Sequence, residues 1–160
     1  MGRPPPPEGL LPPPAPGEPV ALECVEGYLF SRRPLQLLIF RRVPARGSIW
    51  VPIQGKVEPT DASLEAALRR EVQEETGLER PRSILSLDWH VPFRAENGEV
   101  WRLHAYGVEV PGSFRPRLND ENDRFEWVAP PEAERRLHFT DNRDAVSRLV
   151  RALGRGPPPP

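Results

Sequence analysis

Thiol, thioether and ammonium chemistry are nearly absent from this chain: its 160 residues include one cysteine, Cys24, one methionine, Met1, and one lysine, Lys56. A lone cysteine closes no internal disulfide, which fits a reducing, cytoplasmic setting. The histidines are His90, His104 and His138. None has a ligand spacing such as His-Glu-x-x-His, so they read as strand or surface residues rather than zinc ligands. No apolar run approaches the roughly 20 residues of a membrane-spanning helix. Met1 is followed by prolines rather than by the apolar segment of a signal peptide. With a net charge of −1, the chain has no bulk attraction for nucleic acid polymers or anionic membranes, so any phosphate affinity must be local. There is no Ser-His-Asp elbow and no Walker-type loop.

Proline and arginine are abundant. The 23 prolines crowd both ends, so residues 1–19 and 154–160 are expected to be flexible, polyproline-like tails. A partner that reads proline-rich peptides is the less economical explanation of them. Residues 20–153 suffice for one domain with a real core. Within it, residues 20–30 and 35–42 read as strands around a turn at Ser31 to Pro34. The second carries the unbroken apolar stretch of a strand covered on both faces. A short strand at residues 49–53 follows, then a helix from Asp61–Ser63 to the stop at Gly77. Residues 83–93 and 99–110 flank Glu96-Asn97-Gly98, a hairpin signal. Residues 124–128 form another strand, Pro130-Pro131 opens a short helix, and residues 141–153 form a last amphipathic helix. This order describes an α/β layered domain with a mixed sheet.

The helix before Gly77 carries the chemistry. With Leu64 at zero and 100° per residue, Leu68 lies at roughly 40° and Val72 at roughly 80°. Glu71 then falls near roughly −20° and Glu75 near roughly 20°, within the stripe that should be buried. Two carboxylates 4 Å apart repel by about 4 kcal/mol at an effective dielectric near 20. A hard divalent cation relieves that repulsion, because Mg²⁺ takes carboxylate oxygens while keeping waters and phosphate oxygens. A solvated acidic face explains Glu65 and Glu74 equally well, but not Glu71 and Glu75.

The run Arg70-Glu71-Val72-Gln73-Glu74-Glu75-Thr76-Gly77-Leu78, preceded by Gly55 and Asp61, resembles the Nudix box. That signature is Gly, five residues, Glu, seven residues, then Arg-Glu-aliphatic-any-Glu-Glu-any-Gly-aliphatic. Its second half is complete here. In the first half Asp61 replaces the first Glu, and eight residues separate it from Arg70, an extra residue to be absorbed near Ala62 and Ser63. Trp50, Arg41-Arg42, Glu121 with Phe125-Glu126-Trp127, and Asn142-Arg143 look like the bacterial dihydroneopterin triphosphate and dATP pyrophosphohydrolases.

The resemblance implies an α/β/α sandwich that uses Mg²⁺ or Mn²⁺ to cleave a diphosphate linked to another moiety. By matching the motif, Glu71 and Glu75 are the expected metal ligands. Glu74 binds a second ion or orients the attacking water, and Arg70 fixes Glu74 by a salt bridge one turn away. Gly55 lets the backbone approach metal or phosphate, with the Gln54 carbonyl as a further ligand. Glu121 supplies another ligand or the general base, with Asp120 and Asp123 in reserve. Lys56, Arg41, Arg42 and Arg46 are candidates for the substrate's phosphates. Trp50, Trp89, Trp101 and Trp127 are read as core residues, one of which could stack on a base or pterin. The expected partner is a small phosphorylated molecule, with room for a homodimer. The competing class is a Nudix-fold nucleotide-binding or regulatory module without catalysis. Such modules usually lack one of the box glutamates, whereas this chain has all three.

Overall fold

The computed structural model describes residues 12–154. The outer parts of the two proline-rich flanks, residues 1–11 and 155–160, lie outside the described residues. In chain order the elements are β1 (Val20–Ser31), β2 (Gln36–Arg42), β3 (Trp50–Val51), β4 (Ile53–Lys56), α1 (Leu64–Thr76), β5 (Ser83–Arg94), β6 (Val100–Glu109), β7 (Asn122–Val128), α2 (Pro130–Arg136) and α3 (Thr140–Gly154).

One mixed sheet runs β3-β2-β1-β6-β5, with β4 added to β1 and β7 to β2. Among the named strands of the described residues, only β1 and β6 pair in parallel. β1 can serve several partners because it is long: residues 24–27 pair with β4, and residues 29–31 with β2. One sheet face, including Val25, Leu29, Leu38, Phe40 and Ile53, packs against Ala67, Leu68 and Val72 of α1. The other, including Tyr28, Phe30, Leu37 and Ile39, packs against Ala145, Val146 and Leu149 of α3 and Ala133 of α2. The architecture is the α/β/α sandwich expected from the sequence. Leu37, Leu38, Ile39 and Phe40 are all buried, as an apolar run covered on both faces requires.

One expectation is corrected. The single strand at residues 49–53 is split by Pro52 into β3, which pairs with β2, and β4, which pairs with β1. Proline has no N–H to donate, so the ladder changes partner there. The described end of the N-terminal flank, residues 12–19, meets the domain at Arg94. Arg94 donates to the Pro12 carbonyl at 2.8 Å and to both carboxylate oxygens of Glu18 at 2.8 Å. Bonding to Arg94 holds the Glu18 carboxyl below its ordinary range. Composition read those prolines as extended chain but could not reveal a guanidinium 76 residues away in sequence.

Candidate active site

The α1 helix begins where Ser63 accepts the Ala66 N–H at 3.0 Å, an N-cap. It ends at Gly77, whose φ of 79° is the left-handed conformation that glycine adopts without steric cost. Those two stops fix the helix phase. Glu71 and Glu75 face inward, 7% and 4% exposed, whereas the Glu74 side chain is 54% exposed. Glu71 lies flat against β4 at Gly55. A Cβ there would stand 1.9 Å from its carboxyl carbon, so only glycine leaves the space.

Arg70 holds the cluster together. Its guanidinium donates to both Asp61 oxygens at 3.0 and 2.8 Å, to the Lys56 carbonyl at 2.9 Å and to Glu71 Oε1 at 2.9 Å. Glu74 is a longer contact, at 3.3 Å. The expected Arg70–Glu74 pair is therefore the lesser one; Asp61 is the main anchor, despite its altered spacing. The extra residue is absorbed in the turn before the helix, where Asp61 also accepts the Glu58 N–H at 2.8 Å. Bonding to Arg70, then to Glu58, lowers the Asp61 pKa to about 2. Its contribution to stability is thus complete above the ordinary value of 3.8 and is lost as pH falls through about 2. Asp61→Asn should cost about 1.5–3 kcal/mol at neutral pH, the worth of hydrogen bonds to a charged group. Urea unfolding at pH 7 and pH 3 should show that gap narrowing in acid.

Across from α1, Glu121 faces Glu75. The two line one cleft with Arg42, Arg46 and Gln54. The loop carrying Glu121 is fixed by Val43 N–H donating to the Glu121 carbonyl at 3.1 Å and by Asn119 Oδ1 accepting the Glu121 N–H at 3.0 Å. Burial pushes the Glu75 carboxyl well above its usual range, and the negative Glu121 and Glu71 push it further. Burial also works to raise Glu121, while hydrogen bonding to Glu75 works against it, and the Arg46 guanidinium lies 3.4 Å away. Glu71 is raised by burial, partly offset by Arg70.

The basic candidates separate. Arg42 and Arg46 line the cleft, with Arg42 donating to Gln54 Oε1 at 3.0 Å. Arg41 instead pairs with Asp123 at 2.9 Å, away from the residues that line the cleft. Lys56 pairs with Cys24 in the ladder, so its side chain leaves the sheet on the side opposite Gly55 and Glu71. Its ammonium lies 4.7 Å from the Trp101 ring centre, away from the carboxylates. Trp50 and Trp89 pack partly buried against the α3-side core, as expected. The sequence reading missed Glu26, a 2%-exposed acid. An acid flanked by Val25 and Gly27 in an apolar strand was the signal available.

Among the described residues no three His, Cys, Asp or Glu side chains form a ready-made metal cage. The residues nonetheless fit a hard divalent cation. Glu75 Oε2 is buried without a hydrogen-bond partner, and Glu71 and Glu121 offer further carboxylate oxygens beside it. Mg²⁺ characteristically uses one or two carboxylates with waters and substrate phosphates rather than an all-protein cage.

Comparison with known proteins agrees with this geometry. Residues 27–149 match the NUDIX domain. The chain is 35% identical over 140 residues to an octanoyltransferase of Myxococcus xanthus, covering 86% of this chain and 38% of that protein. It is 30% identical over 100 residues to the asymmetrical bis(5'-nucleosyl)-tetraphosphatase of Rattus norvegicus, covering 58% of this chain and 63% of that one. It thus spans less than two thirds of either relative's length. The E. coli dihydroneopterin triphosphate pyrophosphohydrolase superposes with a TM-score of 0.71 at 17% identity, covering 84% of this chain and 99% of that structure; this likeness concerns the fold. A domain match from β1 to α3, on a sandwich whose helix turns Glu71 and Glu75 inward around Arg70, makes this chain a member of the NUDIX domain family.

Proposed function

We propose that the protein is a divalent-metal-dependent pyrophosphohydrolase. Its substrate is a nucleoside triphosphate or a related X-linked diphosphate, of the dATP or dihydroneopterin triphosphate kind, and its setting is the cytoplasm. The carrying observation is the buried Glu75 carboxyl, with one oxygen unpartnered, facing Glu121 in a cleft that Arg42 and Arg46 also line.

Glu71, Glu75 and Glu121 would hold Mg²⁺ or Mn²⁺, with Glu74 available for a second ion. When bound, the metal neutralises charge developing on the phosphates. Arg70, clamped by Asp61, holds Glu71 in place. Arg42 and Arg46 supply positive charge to the phosphate chain. Glu121, across the cleft from Glu75, accepts the proton of water attacking phosphorus in line, a contribution of about 10²- to 10⁴-fold. Pyrophosphate or a monophosphate leaves. Arg41 and Lys56, engaged elsewhere, are not required.

The octanoyltransferase relative is matched over only 38% of its length, so its acyl transfer is not carried over to this chain. Cys24 is the chain's only thiol; burial pushes it up to about 12, where it is no nucleophile.

A panel of nucleoside triphosphates, dihydroneopterin triphosphate, dinucleoside polyphosphates and nucleotide sugars, assayed for phosphate and pyrophosphate release, tests the reading. Turnover should appear with Mg²⁺ and vanish with chelator. Binding of panel members without any turnover would favour the non-catalytic module instead.

A further inference from the structure

A chain of buried polar groups runs behind the cleft, from the start of α3 to Arg42. The Phe139 N–H donates to Asn142 Oδ1 at 3.1 Å, and Asn142 Nδ2 donates to the Tyr28 hydroxyl at 2.9 Å. Tyr28 donates to Glu26 Oε1 at 2.5 Å, and Gln54 Nε2 donates to Glu26 Oε2 at 2.5 Å. Arg42 then donates to Gln54 Oε1 at 3.0 Å. All five side chains are at most 4% exposed.

The polarity of this chain is set from both ends. A backbone N–H can only donate, so it fixes Asn142 with its oxygen toward Phe139 and its NH₂ toward Tyr28. The tyrosine hydroxyl must then give its hydrogen to Glu26. At the other end a guanidinium can only donate, so Gln54 turns its oxygen to Arg42 and its NH₂ to Glu26. The reverse orientation would set an amide NH₂ against a guanidinium, two donors facing each other. Arg42 and Gln54 are also the two members that line the cleft with Glu75 and Glu121.

We propose that Tyr28 and Asn142 are positioning residues that act through Glu26 and Gln54 to aim the Arg42 guanidinium at a substrate phosphate. The proposal rests on the reading of the cleft as a phosphate site and names the device that orients its cation. A network that merely stabilised the core would affect folding without favouring Arg42.

The test is a double-mutant cycle on binding of inorganic pyrophosphate with Mg²⁺, followed by calorimetry. Tyr28→Phe should weaken binding about fivefold in the native background, and by less than about twofold once Arg42→Ala is present. Equal weakening in both backgrounds, or unchanged affinity in the native one, overturns the proposal. If Tyr28→Phe does not fold, Glu26→Gln keeps the volume but lets Gln54 reverse, and the same coupling to Arg42→Ala is required of it. The cycle is separable from turnover. A native chain that shows the coupling but hydrolyses nothing on the panel contradicts the hydrolase reading and supports the relay. A native chain that does not bind pyrophosphate overturns the relay even if it turns over nucleotides.

Discussion

Glu75→Gln is expected to lower Mg²⁺-dependent turnover by at least about 10²-fold while making the metal-free protein more stable. The first effect follows from removing a carboxylate whose free oxygen faces the cleft. Metal-borne charge stabilisation is worth several kcal/mol, and each ~1.4 kcal/mol is a factor of ten in rate. The second follows from the environment of the same group. Burial, Glu121 and Glu71 all disfavour its ionised form. With its folded pKa raised above the ordinary 4.5, the wild-type chain is at full stability below that value and loses stability as pH climbs through the raised one. Glutamine is never charged and offers an N–H donor toward Glu121. The variant should therefore melt about 2–5 °C higher at pH 8 in chelator, on the scale of about 1 kcal/mol, and no higher near pH 4. Kinetics with thermal melts at the two pH values checks both halves. Retained turnover would remove Glu75 from the reaction.

Gly55→Ala should be nearly as damaging to activity, for a steric reason. The added methyl would lie 1.9 Å from Glu71 Cδ and 2.3 Å from its Oε1, so the carboxylate has to move. Displacing a reacting or orienting group by ~1 Å can cost about 10²-fold in rate. Overpacking at a buried site adds a stability loss of about 1–3 kcal/mol. Gly55 lies in β4 outside the left-handed region, so the backbone itself tolerates alanine and the fold should survive. In a Glu71→Gln background the methyl should reduce turnover little further, because the carboxylate it displaces is already gone. Near-native turnover of Gly55→Ala would show that Glu71 need not stay where it is.

Local pattern in the sequence was enough for the helix that carries the carboxylates. Ser63 and Gly77 set its ends, and the angular positions of Leu64, Leu68 and Val72 predicted Glu71 and Glu75 inward, while Glu74, left open between a solvated face and the site, is exposed. The layered order of strands and helices, and β2 as a strand buried on both faces, were legible for the same reason. What escaped was long-range. Nothing local shows that Asp61, displaced by one residue from the family spacing, would still reach both nitrogens of the Arg70 fork. Nor does it show that Lys56 would be carried to the far side of the sheet by its register with Cys24. Glu26, Tyr28 and Asn142 lie on two elements more than 100 residues apart, and only the packing of α3 on β1 makes them neighbours.

Manganese titration followed by electron paramagnetic resonance, comparing the wild type with Glu71→Gln and Glu75→Gln, probes the inward carboxylates without any substrate. Each substitution should weaken Mn²⁺ binding by at least about tenfold, the scale of losing even an indirect support of a metal site. Unchanged Mn²⁺ affinity in both variants would mean that these buried acids serve some purpose other than holding a cation.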